Sequence, residues 1–194
     1  ERFVTSKIGK GKDNVIKLIC KNAAGVFMYA SEVVRQYLEH PDMELETLPQ
    51  GLAELYMDRY RRTFKDDINL DAFHAHSMPM LAMLMSSRGP LASEMVKSVG
   101  IGGKSKKMSA ARQNHLEFVQ RMCVGSLVEA GLLQFSHKSF PDWLSTNQEF
   151  RVDPYHGEIL LGDVCLNIIQ SSVKKTDDVI LSYSLRHVVS HLID

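Results

Sequence analysis

The stretch FSHKSFPDWL, residues 135–144, sets one histidine, His137, between a short apolar run and a small aromatic cluster. An imidazole in such a place can hydrogen-bond an anion, ligate a metal or pack inside a core, and spacing alone leaves all three open. A second pair, His74 and His76, has the form His-x-His. On a helix, positions i and i+2 point to different sides, and no Cys or carboxylate set completes a four-ligand shell, so no metal site is expected. GGKS at 102–105 has the ending of a phosphate-binding loop. The full motif needs glycine five positions before Gly103, where this chain has Ser98, and no strand precedes it, so a basic loop is expected instead. Cys20, Cys123, Cys165 and the eight histidines form no local nucleophile–base signature, and no catalytic residue is assigned.

These residues sit in a chain of 194, enough for one large domain or two small ones. With 44% hydrophobic and 24% charged residues it can bury a core. Lys plus Arg equals Asp plus Glu, 23 against 23, which gives no long-range pull toward DNA, RNA or an anionic membrane. Three widely spaced cysteines, none in a CxxC pair, read as reduced, buried thiols of a cytoplasmic protein. No run approaches the roughly 20 apolar residues of a membrane span, and no signal peptide is visible. The first residue is not Met, and the chain is read as an excised fragment.

The elements that must position the residues above are helices. Residues 1–14 are polar and read as a loop. Ile19, Ala23, Phe27, Ala30, Val34 and Leu38 recur at helical steps in one helix that Asp13 or Asn14 caps and Pro41 closes. Pro49 opens a second helix, with Leu52, Leu55, Tyr56, Tyr60 and Phe64 on one face and Arg59, Arg61 and Arg62 on a solvated one. Phe73, Met80, Leu81 and Leu84 form the stripe of a third, which Pro79 kinks or starts after Ser77, and its methionines read as adaptable core. A short helix runs from Pro90 to Gly100. A long one follows from a Ser109 cap, with Leu116, Val119, Cys123 and Leu127 inward, and leads through Gly131 into the strand LLQFS. A brief helix spans about Phe140 to Leu144. Asp153-Pro154 starts another with Leu160, Val164 and Ile168 on its face, and Thr176 starts the last, with Leu181, Leu185, Val188 and Leu192. No strand alternates with these helices as βαβ units require.

Three helices followed by a short strand pair, from about 70 to 140, is the order of a winged-helix domain, a fold that often reads DNA with its third helix. Here that helix carries Arg112, Gln113, Glu117, Gln120, Arg121 and Glu129. The mixed signs favour a protein contact over nucleic acid.

Taken together and in order, GVFMYASEVVRQYL, LPQGLAELYMDRYRRTF, LAMLMSSRGPL, FSHKSFPDWL, GDVCLNII and LSYSLRHVVSHL resemble a region of NACHT-type signalling NTPases of the STAND class. The region lies just C-terminal to the nucleotide-binding core, and NOD-like receptors belong to that class. The resemblance covers about 15–192, and HKSFPDWL is its most specific element. It implies a mainly α fold in three parts: a helical subdomain of the NTPase module over 1–66, a winged-helix domain with a short β hairpin over 67–150, and the start of a C-terminal helical array over 151–194. It further implies that His137 contacts the phosphate of ADP held by the core and keeps the protein shut, with Ser139, Phe140 and Trp143 building and bracing its turn. ADP or ATP would be bound only through the upstream core. The other partners implied are that core in the same chain, downstream sensor repeats of ankyrin, WD40 or TPR type, and a second copy on activation; no nucleic acid or membrane is expected. The family's phosphate loop and Mg²⁺-binding acidic motif lie upstream and are absent from these residues, so the stretch is expected to be regulatory and not an enzyme. The alternatives are a winged-helix nucleic-acid-binding module and a helical protein-interaction adaptor.

Overall fold

The computed structural model describes residues 1–9, 11–39, 41, 48, 50–64, 67–99, 110–171 and 178–193. It is mainly helical, with one small two-stranded antiparallel sheet among the described residues. The chain divides into two units, Glu1–Thr63 and Phe64–Asp194. The GGKS loop, Pro49, Gly100, Ser109, Thr176 and Asp177 lie outside the described residues.

The first unit holds α1 (Arg2–Ile8), α2 (Asp13–Ala23), α3 (Phe27–Glu39) and α4 (Leu52–Thr63). The segment read as an opening loop is a helix, because Val4 gives it a side chain to bury among Val15, Ile16, Ile19, Tyr29, Val33 and Val34. The single helix expected from Asp13 to Pro41 is two. Ala24 and Gly25 both take positive φ, 45° and 85°, which ends α2 in a left-handed turn. That turn moves Phe27 and Leu38 off the stripe assigned to them, and both are exposed. Arg59 is also not on a solvated face. Its guanidinium lies 3.1 Å from the Glu32 carboxylate, which Arg35 holds at 2.6 Å. Burial would raise the Glu32 carboxyl, but the Arg35 hydrogen bond and the Arg59 and Arg35 charges outweigh it and hold Glu32 below its ordinary value.

The second unit is built around α6 (Met78–Ser86), whose Met80, Leu81, Ala82, Met83 and Leu84 are all buried. A helix apolar all round belongs in the middle of a core. It continues α5 (Asp67–Ala72) through a π-helical turn, Phe73–Ser77, closed by Met78 N–H to the Phe73 carbonyl. The wide turn lets Pro79, which has no N–H to donate, sit in the second helical position without breaking the rod. Phe64, Phe73, Phe118 and Phe150 pack on one side, Phe64 lying 5.0 Å from both Phe73 and Phe118.

After α6 come β1 (Leu91–Ala92), α7 (Ser93–Ser98), α8 (Ala110–Gln120), α9 (Gly125–Glu129) and β2 (Leu132–Leu133). Leu91 pairs with Leu133 and Ala92 with Leu132, antiparallel. The first strand therefore precedes α7, where the sequence suggested the opening turn of a helix at Pro90. The long helix expected over 110–129 is interrupted at Arg121–Val124. Cys123 bridges to Phe135 and the Val124 N–H reaches the Gln134 carbonyl, so the sheet edge captures backbone that a helix would use.

Next are α10 (Ser139–Thr146), α11 (Pro154–Ser171) and α12 (Asp178–Ile193). Asp153 caps α11 through the Tyr155 N–H at 3.0 Å. Helix α11 packs along α6 within the same unit. A Cβ at Gly157 would lie 2.0 Å from the Ala82 carbonyl oxygen, so only glycine admits this approach of the two backbones. Ser86 Oγ sits 2.5 Å from the Pro154 carbonyl across the same contact.

Candidate functional site

His137 lies at the entrance to α10, on a loop pinned from below. The Ser136 N–H and hydroxyl both reach the Met122 carbonyl, at 3.0 and 3.1 Å, and so tie the loop to the end of α8. On the other side Phe140 is buried, meets Phe135 edge to face at 5.3 Å and stacks with Trp143 at 6.1 Å. Leu144 is fully buried one turn on. These aromatic contacts give α10 its anchor and leave His137, the residue two before its start, exposed.

The ring is nevertheless oriented. The Ser139 backbone N–H donates to His137 Nδ1 at 3.1 Å, and Ser139 Oγ lies 2.7 Å from the same nitrogen. A backbone N–H can only donate, so Nδ1 is the acceptor and the neutral ring carries its proton on Nε2. Among the described residues Nε2 has no hydrogen-bond partner. The arrangement therefore presents one N–H donor to solvent from a braced turn, which suits an oxygen acceptor.

The sequence-derived residues fall into place unevenly. Ser139 meets the His137 ring, the Phe140 N–H reaches the His137 carbonyl at 3.3 Å, and Trp143 stacks on Phe140. His74 and His76 separate: His74 stands edge-on to Phe73, while His76 lies 5.2 Å from His115 of α8. His115 in turn bonds the buried Ser77 through Nδ1 at 2.8 Å and stacks on Phe64. Burial and the neighbouring His76 lower the His115 pKa. No group of three or more His, Cys, Asp or Glu that could hold a metal occurs among the described residues. Burial pushes the Cys123 thiol up to about 12, against a hydrogen bond from the Gln134 backbone, and raises Cys165 as well. Neither is poised as a nucleophile. No helix among the described residues is long and apolar enough to cross a membrane.

One cluster was missed from sequence. Glu158 of α11 meets His191 Nδ1 of α12, His191 Nε2 lies 3.2 Å from the Tyr183 hydroxyl, and that hydroxyl accepts the Arg88 N–H at 3.3 Å. The Arg88 guanidinium returns to Glu158 at 3.3 Å. Four residues from three segments thus close one circuit, Arg88 through both its backbone N–H and its guanidinium, with His191 buried. Residues scattered from 88 to 191 leave no local motif, so only the packing of α11 on α12 reveals them.

Compared with protein-family models, curated proteins and solved structures, the chain matches none.

Proposed function

We propose that the chain is a regulatory, non-catalytic segment of a NACHT-type signalling NTPase of the STAND class. In this reading it couples the ADP or ATP state of an upstream core in the same protein to autoinhibition and oligomerisation in the cytoplasm, and passes that state toward downstream repeats. The observation that carries it is His137, exposed on a braced turn with Nε2–H directed away from its own partners. The order α6, β1, α7, α8, β2 supports a winged-helix reading of the surrounding segment. In the closed state Nε2–H would donate to a phosphate oxygen of ADP on the core. A hydrogen bond to a charged group contributes about 1.5–3 kcal/mol, and about 1.4 kcal/mol is tenfold in an equilibrium. A contact made in only one of two states shifts their balance by that amount. The test is ADP retention by the full-length protein carrying His137→Ala. Roughly tenfold faster ADP loss is expected; unchanged retention together with unchanged autoinhibition would sink the reading.

A second reading, a helical interaction adaptor, is favoured by the exposed Val179, Leu185, Val189, Leu192 and Ile193 of α12. It predicts an association indifferent to nucleotide and lost in Leu185→Ser with Val189→Ser.

A further inference from the structure

We infer that Ser139 is a positioning residue that fixes how His137 can meet a ligand. The inference rests on the reading of His137 as a phosphate contact and adds to it the chemical form of that contact. Two Ser139 groups converge on one ring nitrogen: the backbone N–H at 3.1 Å and Oγ at 2.7 Å. The backbone N–H needs Nδ1 to offer its lone pair, and with Nδ1 unprotonated the hydroxyl donates to the same nitrogen. They hold the neutral ring in the Nε2–H form and fix its direction, because the two donors lie on the first residue of α10, which the buried Phe140 and Leu144 anchor. Two consequences follow for the outward nitrogen. It donates one hydrogen bond to an acceptor oxygen, as in a phosphate. It has no lone pair for a metal ion or for taking a proton, so the ring serves neither as a metal ligand nor as a general base in this geometry.

A serine in this place differs from alanine only by the hydroxyl, so the role can be isolated. In Ser139→Ala the backbone N–H remains and α10 keeps its anchor, while one of the two donors is lost. The Ser139→Thr variant keeps the hydroxyl. The measurement is the pair of ring ¹⁵N shifts of His137 in this chain, by long-range ¹H–¹⁵N correlation at a pH where the ring is neutral. The wild type should show Nδ1 as the unprotonated nitrogen and Nε2 as the protonated one. Ser139→Ala should bring the two shifts closer together as an Nδ1–H population enters, and Ser139→Thr should restore them. A protonated Nδ1 in the wild type, or ring shifts that Ser139→Ala leaves unmoved, would overturn the inference. The ring nitrogens report on Ser139 without any nucleotide, so that result is distinct from the fate of the ADP reading. In the full-length protein Ser139→Ala should speed ADP loss and Ser139→Thr should not. Equal retention by both variants removes the ligand half of the inference.

Discussion

The hydroxyl of Tyr183 lies 3.2 Å from His191 Nε2, two turns along the same helix. Since His191 Nδ1 faces the Glu158 carboxylate, it carries the ring proton, and Tyr183 donates to Nε2. Tyr183 can do so only while its phenol stays protonated, and burial pushes it up to about 12, with the Arg88 backbone bond opposing. The circuit joins α12 to α11 and to the loop after α6. His191→Ala leaves the Glu158 carboxylate and the Tyr183 hydroxyl short of a partner and should cost about 2 kcal/mol. Tyr183→Phe should cost about 1 kcal/mol, and the double variant less than the sum. Urea unfolding of the chain, the two single variants and the double variant measures this; additive losses would dissolve the circuit into separate contacts.

Gly157→Ala and Gly162→Ala separate two kinds of close approach. At Gly157 the new methyl meets the Ala82 backbone at 2.0 Å, and neither helix can yield without moving whole. At Gly162 it meets the Leu192 Cδ2 at 3.0 Å, the free end of a side chain that is itself exposed, and the His191 carbonyl oxygen at 3.2 Å, a far milder backbone approach than the 2.0 Å at Gly157. The first should destabilise by about 3 kcal/mol or more and the second by less than about 1. Thermal unfolding of the two variants decides it, and equal effects would contradict the packing described.

His115 should make the second unit sensitive to mild acid. Burial and His76 hold its pKa below that of an ordinary histidine. The unfolded chain therefore binds more protons just below the ordinary histidine value, about 6.5. Stability is complete above that value and falls as pH drops through it toward the folded value. Between about pH 7.5 and 5.5 the melting temperature should decline, and His115→Gln, which keeps a partner for Ser77 but does not titrate there, should flatten the decline. An identical decline in the variant rules this out.

Glu32 should give the first unit a dependence of the same sign at lower pH. Its carboxyl is held below the ordinary range, so its contribution is present above the ordinary glutamate value and lost as pH falls through the folded one. Glu32→Gln should cost about 1 kcal/mol near neutral pH, modest because the ion pairs are partly solvated. It should also weaken the acid dependence of urea unfolding in this unit. A variant as acid-sensitive as the parent would show that Glu32 does not carry the effect.

Helix content and the α10 turn were legible in the sequence because apolar spacing and local capping are local properties. Faces were read less well. On α11 the large residues Leu160, Val164 and Ile168 suggested the inward stripe, yet the line against the core runs through Gly157, Leu161 and Cys165. Hydrophobicity points to bulk, whereas helices approach most closely over the residues with least of it. On α12, Leu185 and Leu192 carry the apolar repeat read from sequence yet are exposed, while Ser184 and His191 are buried. Ser184 bonds the Ile180 carbonyl and His191 the Glu158 carboxylate, partners no periodicity can anticipate. The His137 turn was visible because its parts lie within ten consecutive residues. Its tautomer was not, because that depends on which Ser139 atoms converge.

The wide turn at Phe73–Ser77 holds one residue more than a regular helix would use. Each residue of an α-helix turns the chain by about 100°. Because the π turn spreads that extra residue over one revolution, excising it would close a regular turn with α5 and α6 keeping their faces, and only the residues of the turn itself, Phe73 among them, would change place. A single deletion should therefore be tolerated in this turn where it is not inside α6, whose buried faces it would rotate by about 100°.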